Sequence, residues 1–376
     1  MFRIGFDAKR LFNNFTGLGN YSRTLLANLA TYYPEHAYFL FTPKIKVREE
    51  THFFQNDPLF SVQMPKNKFA PLWRTRSMVK DLQKHNIQLY HGLSHELPLH
   101  IAEKKIRSVV TIHDLLFKHF PHQYAAIDRR IYDGKFRYAC RQADSIVAIS
   151  EATKRDIVQY YGIDPQKIEV IYQSCHERFM VTKSQSTIQQ TLLRHGLPSE
   201  YLLYVGSVIE RKNLLGVIKA VESLSPGFQL PLVVVGGGKG AYRDKVKNYI
   251  SARRLQHKVF FINPLSSELP ALYQQAAVFL YPSFGEGFGI PILEALFSKT
   301  PVITSRLSSL PEAAGPSSYL LDDPSAPLAI AQGIEGILGD EQFRNQMIEK
   351  GYVYAQRFRG EPLTHQMMAL YESILD

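Results

Sequence analysis

The stretch Ser283-Phe-Gly-Glu-Gly-Phe-Gly-Ile-Pro-Ile-Leu-Glu294 carries most of what this chain discloses. Gly285, Gly287 and Gly289 alternate through a loop. Pro291 suits the first position of a following helix, which would place Glu294 near that helix's N-terminal turn. Bare backbone at a helix start presents N–H groups and the positive end of the macrodipole, an arrangement that favours an anion. Yet Glu286 and Glu294 stand beside it, where they would repel phosphate. The conflict resolves if the carboxylates accept hydrogen bonds from hydroxyls while backbone amides and nearby cations hold phosphate. A nucleotide-sugar presents that combination of groups. A purely structural reading, in which Glu294 only complements its helix dipole, competes at this point.

The cations are found upstream. Val205-Gly-Ser-Val-Ile-Glu-Arg-Lys-Asn213 reads as a strand end, a turn at Gly206, and Arg211-Lys212 ahead of a helix. Cations there oppose the helix dipole, so a diphosphate ligand explains them better than an exposed basic helix start. Arg offers a fork of donors and Lys a point charge. Two other glycine-rich segments invite phosphate readings that fail. In Leu232-Val-Val-Val-Gly-Gly-Gly-Lys-Gly240, Val233 occupies the first glycine position of a Walker motif and Gly240 follows Lys239. In Gly17-Leu-Gly19, Ser22 stands at the third glycine position and no acidic residue ends the second strand, Phe39-Leu-Phe-Thr42, which argues against NAD.

At 376 residues the chain calls for two domains of roughly 180 residues. Strand-like runs at Phe2–Phe6, Tyr38–Phe41, Gln88–His91, Val109–Ile112 and Ser145–Ile149 alternate with helical patterns such as Ile127–Arg141 and Glu151–Tyr161. A second series runs through Tyr201–Val205, Leu232–Val235, Val259–Phe261, Val278–Tyr281 and Pro301–Ile303, with closing helices at Gln342–Arg357 and Pro362–Leu375. This alternation predicts an α/β fold of two Rossmann-like domains with a cleft between them and ligands at the strands' carboxyl ends. The polar segment Met180–Thr187 marks the expected boundary: residues 1–180, 181–360, and a C-terminal helix over 361–376.

No run of about 18 apolar residues or apolar leader occurs, and Cys140 and Cys175 lack metal or disulfide spacing, so a cytoplasmic location is expected. Residues 1–180 carry 26 Lys and Arg against 17 Asp and Glu, leaving residues 181–376 nearly neutral. That basic half could attract an acidic substrate, nucleic acid or an anionic membrane. Lys44–Arg48 and Lys66–Arg76, the latter with Phe69 and Trp73, suit peripheral membrane contact or a solvated basic face. A nucleic-acid-binding protein would account for the net charge of +10 but leaves the Glu pair idle.

With Tyr281–Glu294, Gly206…Arg211-Lys212-Asn213 and Ser309-Leu-Pro-Glu-Ala-Ala-Gly315 in this order, the chain resembles GT-B glycosyltransferases of retaining family 4 over almost its whole length. Pro316-Ser-Ser318 departs from the family's common Asp-Ala-Ala. The resemblance implies a C-terminal helix returning to the N-terminal domain and a donor site built of Gly17, Gly19, Gly206, Arg211, Lys212, Gly287, Phe288, Gly289, Ile290 and Glu294. Glu294 would hold ribose, Glu286 would lie by the donor hexose, and Arg211 and Lys212 would stabilise the departing diphosphate without a metal or cofactor. His113, in Thr111-Ile-His-Asp114, ends a strand and would face the donor sugar, with Asp114 orienting it or capping the next helix; His91-Gly-Leu-Ser-His95 is a weaker candidate. The acceptor, a glycan or lipid-linked glycan, would bind the first half. Thr111–Asp114 with His91…Pro98 resembles bacterial mannosyltransferases of surface polysaccharide assembly, which favours GDP-mannose; a UDP-hexose transferase, a nucleotide-sugar epimerase and a phosphorylase are the alternatives.

Overall fold

Short apolar runs separated by amphipathic helices become two all-parallel sheets. In the computed structural model, which describes residues 1–65 and 73–376, the first sheet holds β1 (Arg3–Asp7), β2 (Ala37–Phe41), β3 (Phe60–Gln63), β4 (Leu89–Gly92), β5 (Arg107–Ile112), β6 (Ser145–Ala148) and β7 (Ile168–Val170), in the order β3-β2-β1-β4-β5-β6-β7. The second holds β8 (Leu202–Val205), β9 (Leu232–Val235), β10 (Val259–Ile262), β11 (Val278–Tyr281), β12 (Val302–Ser305) and β13 (Tyr319–Leu321), in the order β10-β9-β8-β11-β12-β13. Strand order reverses between β1 and β4 in one sheet and between β8 and β11 in the other. Ligands of open α/β sheets collect at such reversals, outside the carboxyl ends of the strands.

Both faces of the first sheet are covered, which is why its strands read as continuous apolar runs rather than as alternating ones. Successive residues still part company: Ile4, Phe6, Tyr38, Leu40, Leu89, Val109 and Val147 enter one core, while Phe39, Phe41, Tyr90, Val110, Ile112, Ile146 and Ala148 enter the other. In the second sheet Leu202, Tyr204, Leu232, Val234, Val278, Leu280 and Ile303 share one core with the helix Leu214–Glu222.

The chain divides into Met1–Ser174 with Arg359–Asp376, and Cys175–Phe358. The boundary therefore precedes the expected residue 180 by six positions, and the C-terminal segment returns at Arg359 rather than 361. The reason is packing: Cys175 and the short turn Glu177–Met180 join the second unit, where Phe179 stacks edge-on against Tyr273. The helix Gly360–Leu375 presents Leu363, Met367, Met368 and Tyr371 at helical spacing and packs against the helix Gly17–Tyr32. Tyr371 Oη lies 2.6 Å from His91 Nδ1. Because Met368 is fully buried in this core, Met368→Ala should lower unfolding free energy by about 2–5 kcal/mol, measurable as a reduced urea midpoint at unchanged m-value.

Gly17 and Gly19 lie in the first turn of the helix Gly17–Tyr32, not in a preceding loop. Asn14 ends the chain's approach to that helix: its Oδ1 accepts the N–H groups of Thr16 (2.9 Å) and Gly19 (3.2 Å). A Cβ on Gly19 would fall 1.7 Å from the Asn14 carbonyl oxygen, so close approach, not loop flexibility, demands glycine there. Trp73 also departs from expectation. It is buried, and its indole N–H donates to Asp81 Oδ2 at 2.6 Å, which removes it from any membrane-facing role. Lys66 to Leu72, including Phe69, lie outside the described residues. No helix among the described residues is long and apolar enough to cross a membrane.

Candidate active site

The β8–β11 pairing brings together segments that are 74 residues apart in the chain. After β8 the backbone passes through Gly206, whose N–H donates to the Val235 carbonyl oxygen at 2.9 Å, and then through the 3-10 turn Glu210–Lys212. After β11 it enters the loop Ser283–Gly289. The two are stitched by backbone: the Arg211 carbonyl oxygen accepts the Phe284 N–H (2.8 Å) and the Ser283 hydroxyl (3.0 Å). Arg211 Nη1 in turn donates to the Gly285 carbonyl oxygen.

Glu286 is the centre of this assembly. Its Oε2 lies 2.9 Å from Arg211 Nη1, and its Oε1 lies 2.9 Å from Lys212 Nζ. Oε1 also accepts from Ser283 Oγ (2.9 Å) and Tyr281 Oη (3.1 Å). Burial by itself would favour the neutral acid, but Lys212 and Arg211 more than offset it and hold the carboxyl down at about 2. Lys212 reaches the Tyr281 hydroxyl at 2.5 Å and stands over that ring, 4.7 Å from its centroid. The Glu286 carbonyl oxygen accepts from the Ser308 and Ser309 hydroxyls, fixing the loop from the other side. Glu286, assigned to the donor hexose by the resemblance, is ion-paired here with the two cations assigned to the diphosphate. Two cations and one anion leave the cluster with one net positive charge.

Gly287 and Gly289 continue the loop, and Gly289 carries φ +127°, a conformation that side chains rarely adopt. The helix then runs Ile290–Phe297, with Pro291 second rather than first, so Glu294 falls in its second turn. Phe288, assigned to the donor site by the resemblance, buries its side chain 5.5 Å from the Phe358 ring. Glu294 Oε2 accepts the Tyr273 hydroxyl at 2.8 Å. Burial raises its carboxyl to about 7, with Tyr273 and Arg178 only partly opposing the rise. The two acids of one motif are thus driven apart, one held ionised and the other poised near neutrality.

His113 follows β5 in the first unit and is buried. Its Nε2 donates to the Leu93 carbonyl oxygen (2.8 Å), and its Nδ1 accepts from Gln173 Nε2 (3.0 Å). Both ring nitrogens are therefore engaged within the first unit. Burial, reinforced by Arg10 and opposed by the Leu93 carbonyl, pulls the imidazole down to about 4, so it is neutral at pH 7. Asp114 Oδ1 accepts the Leu116 N–H (3.1 Å) just ahead of the helix Leu116–His119, whose N-cap position is Leu115. His91 is wholly internal, its Nε2 2.7 Å from Thr111 Oγ1, and Thr111 Oγ1 is 3.0 Å from Tyr21 Oη.

Tyr273, Tyr281, Ser283, Ser308, Ser309 and Gln173 support these groups without having been singled out in the sequence. Tyr281 and Ser283 lie within the quoted motif, where their offsets of five and three residues from Glu286 were a usable signal. Tyr273 and Gln173 act across folds of the chain that spacing does not disclose.

Two Rossmann-like parallel sheets, with a cation-and-carboxylate cluster at the reversal of the second, define a GT-B glycosyltransferase. Residues 15–174 match the model of "Glycosyltransferase Family 4", and residues 189–354 match "Glycosyl transferases group 1". The chain belongs to this family of glycosyltransferases. It is similar to the "O-antigen chain mannosyltransferase B" of Escherichia coli, 26% identical over 95% of this chain and 96% of that one. It is 27% identical to a "D-inositol 3-phosphate glycosyltransferase" of Corynebacterium glutamicum over 68% of this chain and 66% of that one. Among solved structures, HepE of Anabaena in complex with UDP and glucose shares the fold, with a TM-score of 0.79 at 17% identity over 99% of this chain and all of that one.

Proposed function

We propose that this enzyme transfers mannose from GDP-mannose, with retention of configuration, to a glycan or lipid-linked glycan in bacterial surface polysaccharide assembly. The observation that carries the donor assignment is the Arg211–Glu286–Lys212 cluster at the β8–β11 reversal. A leaving nucleoside diphosphate gains negative charge as the glycosidic bond breaks. Arg211 and Lys212 are already fixed where that charge can be met, which is where preorganised charge accelerates a reaction most. Glu294 accepts the ribose hydroxyls. Glu286 exchanges its cations for a sugar hydroxyl as the diphosphate engages them. Glu286, paired with two cations, is a poor nucleophile, so retention would proceed by same-face displacement.

Mannose is supported by the O-antigen mannosyltransferase relative, which the chain matches over nearly its full length. The second reading, a UDP-hexose donor, is favoured by the UDP and glucose bound to the structurally similar HepE. Labelled GDP-mannose, UDP-glucose and UDP-N-acetylglucosamine incubated over lipid-linked acceptors separate the two, and the anomeric configuration of the product tests retention. Transfer from none of the three, with no thermal shift on adding GDP or UDP, would overturn the assignment.

The raised Glu294 carboxyl sets a pH dependence. Hydroxyl donors favour the ionised form, whereas near pH 6 about nine-tenths of a group titrating at about 7 is protonated. Donor binding must then expel a proton. GDP-mannose affinity should therefore rise about tenfold from pH 6 toward pH 8, levelling above 7, since each unit of pKa is about 1.4 kcal/mol. Calorimetry in buffers of different ionisation enthalpy should register release of nearly one proton at pH 6, lost in Glu294→Gln. The diphosphate of GDP-mannose does not itself ionise in this range. An affinity flat across pH 6–8 would remove Glu294 from the ribose.

A further inference from the structure

Arg211 and Lys212 stand on a 3-10 turn, and Ser283 and Glu286 in the loop after β11. Tyr281 is held more firmly, as the last residue of β11 itself. It pairs in register with Thr304 of β12, whose hydroxyl donates to the Tyr281 carbonyl oxygen at 2.8 Å. Its side chain is buried and stacks on Phe279, with 5.8 Å between the ring centroids. A phenylalanine would fill the same space among the apolar neighbours Val278, Phe279 and Leu280, and burying a hydroxyl is costly unless it is hydrogen-bonded. Here the hydroxyl accepts from Lys212 Nζ at 2.5 Å and donates to Glu286 Oε1 at 3.1 Å. Lys212 Nζ donates to the same carboxylate oxygen at 2.9 Å, so phenol, ammonium and carboxylate close a triangle. Burial, with Glu286 beside it, raises the phenol well above its ordinary value, and it keeps its hydrogen.

We propose that Tyr281 is a positioning residue for Lys212: it aims the ammonium at the leaving diphosphate and keeps Glu286 hydrogen-bonded when the ammonium is drawn away. This rests on the transfer reading above. An ammonium carries three N–H bonds. One is directed at Tyr281 and one at Glu286, and the third has no partner among the described residues. With two directions fixed, the third is fixed as well, and the cation needs no reorganisation as charge develops on the leaving group. The Tyr281 ring, 4.7 Å from Nζ at its centroid, adds an attraction that an aliphatic wall would not supply. The second task concerns the carboxylate. A diphosphate that draws Lys212 toward itself takes one donor from Glu286 Oε1, and a buried charge stripped of its partners is costly. Oε1 retains the hydroxyls of Tyr281 and of Ser283, the latter at 2.9 Å. No proton changes hands in this exchange; only hydrogen-bond partners do.

Tyr281→Phe deletes one oxygen, leaves the ring on Phe279, and leaves Glu286 Oε1 with Lys212 and Ser283 as donors, so the variant should fold. Titration of the full chain with GDP and with UDP reads the effect without knowledge of the acceptor. Tyr281→Phe should weaken whichever nucleotide the wild type binds by about tenfold, the order expected for one hydrogen bond to a charged group. That sign is opposite to the one expected for Glu286→Gln. Lys212→Met separates positioning from mere support of the loop, because it keeps Arg211 for the diphosphate and removes the group that Tyr281 acts on. In that background Tyr281→Phe should change affinity by less than about twofold, whereas a general loosening of the loop would cost the same factor in both backgrounds. Equal losses in the two backgrounds, or nucleotide bound as tightly by Tyr281→Phe as by the wild type, would overturn the positioning role and leave the donor assignment standing. A wild-type protein that binds neither nucleotide would overturn the donor assignment and the positioning role together.

Discussion

Arg211→Ala should lower the turnover of sugar transfer by about 10²–10³-fold, the loss typical when one fixed donor to a developing negative charge is removed. Arg211 is buried, and its side chain has two tasks that alanine cannot share. On the proposed reading it meets the charge of the leaving group; it also ties Glu286 to the Gly285 carbonyl, so its loss loosens the loop on which the motif depends. Arg211→Lys separates the tasks. A point charge at the same place restores electrostatic attraction but cannot span both oxygens, so turnover should recover only in part. Steady-state rates with labelled donor at saturating acceptor decide the matter; an Arg211→Ala enzyme within fivefold of the wild type would exclude Arg211 from the chemistry.

Glu286→Gln should damage transfer comparably while tightening the binding of GDP, a combination that a simple ligand-binding residue does not give. The carboxylate stands 2.9 Å from each of two cations and, on the proposed reading, would compete with the diphosphate for both. Removing one charge at a few ångströms, at an effective dielectric constant near 20, is worth up to about 4 kcal/mol before solvent and rearrangement reduce it. A tightening of about tenfold in GDP affinity is the expected net result. Turnover should fall because Arg211 and Lys212 lose their anchor and, on the proposed reading, the donor hexose loses a hydroxyl acceptor. Calorimetry with GDP and rate measurements on the same preparation read the two effects. GDP bound more weakly by Glu286→Gln would mean that the carboxylate supports the nucleotide site rather than guarding it.

Much of this was legible in the sequence, and the omissions have a common cause. Interior strands such as Leu232–Val235 and Val278–Tyr281 are buried on both faces and appear as unbroken apolar runs with the bounds read from the sequence. The strands that escaped notice, β3, β7 and β13, all lie at sheet edges. Phe60-Ser-Val-Gln63 and Ile168-Glu-Val170 are only partly covered and need no continuous apolar sequence. The helix beginning at Gly17 was read as a turn because glycine disfavours helices, whereas crowding by Asn14 overrides that preference. In the site, motif and charge singled out Arg211, Lys212 and Glu286, which the fold brings together. What could not be inferred was that Arg211 and Lys212 would both pair with Glu286. Their meeting depends on β8 lying beside β11, and nothing local to either segment encodes that distance.

The placement of Arg359–Asp376 in the first unit has a consequence for how the chain is made. A ribosome releases the seven strands of the first sheet early, yet the core on one of their faces needs Met367, Met368 and Tyr371. The whole second unit, residues 175–358, is translated in between. The domain started first is therefore the one finished last, and until Tyr371 emerges its apolar face over β1, β2 and β4 stands open to chaperones, proteases and other nascent chains.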